Sequence, residues 1–348
     1  MRLTLFAYSR TGCQTVRRLL AARREDSAVC YAAARLEEDG FLPLEKAVYR
    51  QAFSSSDALI FVGACGIAVR EIAPYVRDKR TDPAVVCIDE RARFAISLLS
   101  GHIGGANALT AELAEALGAT PVITTATDVN GRFSVDAWAA QNGFRLDDMR
   151  LAKAVSAAIL ERDVPFCCEA AVTGPLPSGL FRSDAGRLGI YIGCRRENPF
   201  EDTLHLVPQV LRVGIGCRRG TPKEAVETAI QTVFAENGLF PEAISGVYSI
   251  DLKKDEPGLL AACREHGWPV RFYSASALLA VPGEFSASQF VRSVTGVENV
   301  CERAALLGAE RLLVKKTALN GVTVAAAQEH WEVDFGKRDR SGHRPGQL

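Results

Sequence analysis

The chain has 348 residues, 48% hydrophobic and 24% charged, and its 41 basic side chains balance 41 acidic ones. That length holds two or three domains with ample core. Zero net charge excludes a general nucleic-acid binder, which shows a basic excess or stripe. No apolar run approaches the roughly 20 residues that span a bilayer. The amino-terminal MRLTLFAYSRTGC has too short an apolar run for a signal peptide, so a cytoplasmic protein without membrane association is expected. None of the ten cysteines is spaced as CxxC or combined with the five histidines in a zinc-like pattern, so reduced thiols and no structural metal are expected.

In chain order, LTLFAY (3–8) is predicted as a strand, followed by a helix through Val16, Leu19 and Leu20. DALIFVG (57–63) is a second strand, and Gly66 opens a helical window with Ile67, Val69 and Ile72. AVVCID (84–89) and RFAISLL (93–99) follow as strands. The loop SGHIGGAN then leads into a helix whose Leu109, Leu113, Ala116 and Leu117 share one face. Gly118 is placed to stop that helix, and PVITT (121–125) is the next strand. Strand, glycine-rich loop, helix, strand is a βα connection, the place where open α/β sheets hold ligands.

Helical windows at Val135–Gln141 and Asp147–Glu161 precede strands at 164–170, 188–194 and 203–208, with TGPLPSG (173–179) as a loop. A further unit opens at Leu211. Thr221-Pro222-Lys223-Glu224 reads as a capping box with proline at the first helical position, and Gly238 ends its helix. Strands at 247–252 and 269–274 alternate with helices to His266 and from about Glu298 to Leu307. LLVKKTALNGVTVAAAQ (312–328) reads as a hairpin with a type I′ turn at Asn320-Gly321. The predicted fold is α/β: a mostly parallel-sheet amino-terminal lobe of two sub-units plus a separate smaller α/β carboxy-terminal domain. The boundaries fall at 1–128, 129–209 and 210–333, with 334–348 as a disordered tail.

Named catalytic motifs are missing. GIGCRRG (214–220) has its third glycine one position too late for GxGxxG, and there is no GxxxxGK[ST], GxSxG or HExxH. What remains are constellations at strand ends. Ser100, His102 and Asn107 lie in the glycine loop with Gly101, Gly104 and Gly105. Thr125, Thr127, Asp128, Asn130 and Arg132 follow another strand, and Asp89, Glu90 and Arg91 follow a third. In a parallel sheet these loops converge on one edge. A histidine beside a carboxylate can then supply acid and base near neutral pH. The plainer alternative is that Asp128 and Asn130 only make a turn and Ser100 only caps the loop. Two related strand–glycine-turn–helix units, IFVGACGIAVREIAP (60–74) and LRVGIGCRRGTPKEA (211–225), add Gly63, Gly66, Arg70, Gly216, Arg218 and Arg219 as binding candidates. Arginines at loop ends suit a ligand with several acid groups.

The blocks VGACGIAVREIAP, DPAVVCIDE, LLSGHIGGANALTAELAEALGATPVITTATDVNGRFSVD and GIGCRRGTPKEA resemble the cobalt-precorrin-5A hydrolase family of anaerobic cobalamin biosynthesis, from about Leu3 to Gln328. GIGCRRGT with SIDLKKDEPGLLAAC resembles that family's carboxy-terminal domain, which also occurs alone. The resemblance implies a cobalt-bearing, ring-contracted tetrapyrrole substrate with a δ-lactone. Water opens the lactone, acetaldehyde leaves and cobalt-precorrin-5B results. The cobalt comes with the substrate, so no resident cofactor is expected. His102 or Asp128 would activate water, with Ser100 a less favoured nucleophile, and N–H groups of the 101–105 loop would stabilise the oxyanion. Transient contact with pathway methyltransferases and a homodimer are open. Two alternatives also stay open: a non-catalytic corrinoid carrier with His102 as a cobalt ligand, and an enzyme acting on a phosphorylated small molecule.

Overall fold

The computed structural model describes residues 1–78, 81–287 and 289–336. Strands β1 (Arg2–Ala7), β2 (Ser27–Ala33), β3 (Leu42–Leu44), β4 (Ala58–Val62), β5 (Ala84–Ile88), β6 (Phe94–Leu99) and β7 (Thr120–Val122) form one sheet, in the order β3-β2-β1-β4-β5-β6-β7. Helices α1 (Arg10–Ala22), α2 (Lys46–Ser55), α3 (Cys65–Ile72) and α4 (Ala106–Leu117) cover it. Every residue of β4 and β5 is buried, which is why both read as unbroken apolar runs rather than alternating ones. Alternate residues still serve different faces. Leu5, Ile60, Val62 and Val86 pack with Val16, Leu19, Leu109 and Leu113, while Phe6, Leu59, Phe61 and Val85 pack with Tyr49, Phe53 and Ile72.

The hydrophobic pattern missed β2, β3 and α2. β2 is alanine-rich and only partly buried, and β3 is three residues long, so neither presents a strong β-branched signal. In α4 the buried stripe runs through Leu109, Leu113, Ala114 and Leu117, whereas Ala116 faces solvent. Gly118 caps that helix in the left-handed region, at φ 70°.

Helices α5 (Ala126–Val129), α6 (Val135–Gln141) and α7 (Met149–Glu161) follow. A second sheet, ordered β11-β9-β12-β13-β8, is built from β8 (Arg145–Leu146), β9 (Val164–Cys168), β11 (Leu180–Arg182), β12 (Leu188–Ile192) and β13 (Asp202–Val207). β10 (Ala171–Thr173) instead pairs with β19 (Glu332–Asp334). The third sheet runs β16-β15-β14-β18-β17, from β14 (Leu211–Cys217), β15 (Ile244–Ile250), β16 (Val270–Tyr273), β17 (Arg311–Leu319) and β18 (Val322–Gln328). Its helices are α8 (Lys223–Glu236), α9 (Pro257–His266), α10 (Ala275–Leu279), α11 (Gln289–Thr295) and α12 (Val300–Leu306). The turn between β17 and β18 has φ 49° at Asn320 and 83° at Gly321, the positive pair that a type I′ hairpin needs.

Two expectations are corrected here. Thr221 does not cap α8: Pro222 holds that position, and the Thr221 hydroxyl donates to the Arg218 carbonyl at 2.7 Å. The chain is also ordered beyond 333, because Val333 is buried and Asp334 closes the β10–β19 pair. Of the expected disordered tail, 337–348 lies outside the described residues. Among the described residues, 1–142 with 156–162 make one compact unit and 143–155 with 163–336 the other. Within the second unit, Cys194 and Val207 share a buried cluster with Val213, Ile230 and Phe234.

Candidate active site

The direction of the strands decides which loops meet. β3, β2, β1, β4 and β5 are mutually parallel, but β5 pairs antiparallel with β6, and β6 runs parallel to β7. Leu99, the last residue of β6, lies opposite Val85 near the start of β5. The glycine loop after β6 and the 125–136 run after β7 therefore share one edge. Gly63, Gly66 and Arg70, after β4, and Asp89–Arg91, after β5, sit at the opposite edge, roughly 15 Å away along a five-residue strand. The expected convergence of all these loops fails for that reason. At its own edge, Asp89 accepts the backbone N–H groups of Arg91, Arg93 and Phe94 at 3.0, 2.7 and 2.6 Å, so its carboxylate holds a turn.

At the β6–β7 edge the side chains form one network. Asn107, in the first turn of α4, is fixed by Ser97, whose hydroxyl donates to Asn107 Oδ1 at 2.6 Å. Its amide donates to Thr125 Oγ1 at 2.8 Å and to Asp128 Oδ2 at 3.0 Å, and the Thr125 hydroxyl donates to the same Asp128 oxygen. His102 Nε2 lies 3.1 Å from Asp128 Oδ2 and 3.2 Å from Thr127 Oγ1. The other ring nitrogen, Nδ1, lies 3.2 Å from Asp136 Oδ1 and 3.3 Å from Ser134 Oγ. Ser134 also donates to Asp136 Oδ1 at 3.0 Å.

The imidazole is thus held between two carboxylates, Asp128 at 40% side-chain exposure and Asp136 at 9%. The hydrogen bond to Asp136 does most to raise the His102 pKa above its ordinary value; burial opposes it, and Asp128 adds to the rise. Every bond to Asp128 uses Oδ2, so its other oxygen has no hydrogen-bond partner among the described residues. Such an arrangement can accept a proton from a bound water and keep it. Among the described residues no group of three or more His, Cys, Asp or Glu stands ready to hold a metal ion, and no helix is long and apolar enough to cross a membrane.

The glycines of the loop serve packing. A Cβ on Gly101 would lie 2.6 Å from Asn107 Oδ1, and one on Gly104 would collide with Ser100 Cβ. Gly105 takes φ 81° to start α4. The N–H groups of Gly105, Ala106 and Asn107 donate to the carbonyls of His102, Ser100 and Gly101. An oxyanion role is therefore closed to Gly105; the N–H groups of 101–104 have no such partner among the described residues. Ser100 sits at φ 58° with its residue 8% exposed and its hydroxyl buried and unpartnered, with no base in contact, which removes the support for a nucleophile. Arg132 is not a free fork either, because its Nε donates at 2.6 Å to the Ile159 carbonyl in the last turn of α7.

Sequence reasoning missed Asp136 and Ser134 as site residues. Thr127 belongs to the constellation named from the sequence, and Asp136 and Ser134 stand at the end of the same block, but nothing in linear spacing shows that α6 turns back onto His102. In the second unit, Arg218 and Arg219 are exposed after β14. Gly216 lies under Thr323, whose hydroxyl oxygen would stand 2.5 Å from a Cβ there.

Family models for the cobalamin synthesis G amino-terminal and carboxy-terminal regions match residues 47–128 and 211–327. Matches at both ends place an α/β chain of this kind in the cobalamin synthesis G class. The chain is 40% identical to a cobalt-precorrin-5A hydrolase of Salmonella typhimurium, over 94% of itself and 98% of that protein. It is 35% identical to one of Priestia megaterium, over 79% of each. The chain belongs to the cobalt-precorrin-5A hydrolase family. Its carboxy-terminal region is also similar to Protein CobE of Sinorhizobium sp, 36% identical over 34% of this chain and 79% of that one.

Proposed function

We propose that this chain opens the δ-lactone of cobalt-precorrin-5A with water and releases acetaldehyde, giving cobalt-precorrin-5B. The near full-length similarity to two hydrolases of that name supports the reaction. The observation that carries the site is the His102–Asp128 pair at 3.1 Å on an accessible sheet edge. Water bound to the Asp128 oxygen that the network leaves unused attacks the lactone carbonyl. Its proton passes to the Asp128–His102 pair and comes to rest on Nε2, while N–H groups of 101–104 face the oxyanion. The acyl–oxygen bond then breaks to leave an acetate side chain and an alkoxide on the extruded carbon. The alkoxide becomes the aldehyde carbonyl as the bond to the macrocycle breaks, and that electron pair passes into the ring. The pair returns the proton to the ring carbon, so one water is consumed and no redox partner is required.

The cobalt belongs to the substrate in this reading, and no resident cofactor takes part. Action in the cytoplasm is part of this reading. The test is anaerobic incubation with cobalt-precorrin-5A, measuring trapped acetaldehyde. His102→Ala is expected to lower turnover by on the order of 10²–10⁴-fold, the worth of a positioned acid–base group. Wild-type turnover in that variant would remove His102 from the mechanism. Spectral change on binding without acetaldehyde from the native chain would favour a corrinoid carrier.

A further inference from the structure

Asp136 is the carboxylate that neither the sequence pattern nor the similarity to relatives singles out. It sits in the first turn of α6, buried to 7% residue exposure, with its Oδ1 3.2 Å from His102 Nδ1. Ser134, at the start of that helix, makes no capping bond to the backbone. Its hydroxyl is spent on Asp136 Oδ1 at 3.0 Å and stands 3.3 Å from Nδ1. Two groups from the start of one helix, Asp136 and Ser134, thus stand at Nδ1, while Asp128 and Thr127 stand at the other nitrogen.

We infer that Asp136 is a positioning residue of the hydrolase: with Ser134 it holds the Nδ1–H tautomer of His102 and turns Nε2 toward Asp128 and the substrate edge. This rests on the proposed role of His102. Both carboxylates can only accept, and the neutral ring has one N–H to give: the more buried Asp136 takes it from Nδ1, because Asp128 Oδ2 already accepts from Asn107 and Thr125, and Nε2 is left basic beside the Thr127 hydroxyl. When Nε2 takes the proton, both N–H groups face carboxylates and the imidazolium is stabilised without rearrangement. Among the described residues the charged groups that act on the ring are Asp136 from α6 and Asp128 from α5, and from α4 the neutral Asn107 bonds Asp128. Burial lowers the His102 pKa and the two carboxylates raise it further than burial lowers it.

The base form of His102 is the neutral one, so kcat/KM is expected to rise with pH through this raised value. In Asp136→Asn the rising limb moves to lower pH, because the amide cannot stabilise the imidazolium. kcat falls by on the order of 10²-fold, within the range for a positioned acid–base group, with KM little changed. Nitrogen-detected NMR of the histidines of the full chain, without substrate, reads the positioning by itself. The native protein should show the Nδ1–H tautomer for His102 with a raised pKa, and Asp136→Asn should lower that pKa. A native Nε2–H tautomer would overturn the assignment even if Asp136→Asn failed to fold, as would an unchanged pH limb in a folded Asp136→Asn. If the NMR holds and His102→Ala keeps full turnover, the catalytic reading of His102 is what fails, and Asp136 is left holding a structural histidine.

Discussion

At the residue scale, the glycine loop works by what it leaves out. Gly104 lets the chain pass against Ser100, and Gly101 makes room for the Asn107 amide that holds Asp128. Gly104→Ala is therefore expected to cost about 1–3 kcal/mol, the range for forcing extra volume into a packed site. Urea unfolding with acetaldehyde release as a second readout would check this; unchanged stability would mean that the loop yields readily. Ser100 pays twice for its place, in a left-handed backbone and in a buried, unpartnered hydroxyl. The residue types were legible in the sequence: a histidine, an asparagine and a carboxylate near strand ends. Their partners were not, because Asp136 reaches His102 across 34 positions of chain through the placement of α6.

At the element scale, α4 sets the geometry of the site. Its buried stripe packs on the sheet with α1, which brings the amino-terminal turn and Asn107 to the β6–β7 edge. Gly118 ends the helix at φ 70°, its N–H bonding the Ala114 and Glu115 carbonyls. Gly118→Ala is expected to lower stability by about 1–2 kcal/mol, the cost of a Cβ in the left-handed region, without changing KM. Thermal unfolding alongside steady-state kinetics would test both halves. Such helices were readable from apolar spacing and a terminal glycine, and so was the Asn320-Gly321 hairpin. The capping box at Thr221 was misread because the same side chain can accept from the helix or donate backward to Arg218, and local sequence does not choose.

At the scale of the whole molecule, stability is bounded on two sides of pH. His102 has a folded pKa raised above the ordinary 6.5, so the stability it contributes is fully present below that value and is lost as pH rises through the folded pKa. Asp57 goes the other way. Burial pushes its pKa up, but hydrogen bonds from the Arg2 side chain and backbone win and hold it below 3.8. Its contribution is present above that value and is lost as pH falls through the folded pKa. A Tm profile is expected to be flat between these limits and to decline on either side. In Asp136→Asn the alkaline decline should shrink while the acid one stays; an identical profile would show that His102 is not the group responsible.

The sequence by itself determined the class of this protein: an α/β chain with apolar central strands and blocks that resemble one hydrolase family. Those properties reside in local composition, periodicity and short motifs, which survive without knowledge of the fold. Tertiary structure alone decided which loops form a site. The antiparallel step from β5 to β6 sends the glycine loop and the 125–136 run to one edge and leaves Gly63, Gly66 and Arg70 at the other. Side-chain period and strand length are the same for either direction of pairing, so the pattern of residues carries no record of that reversal.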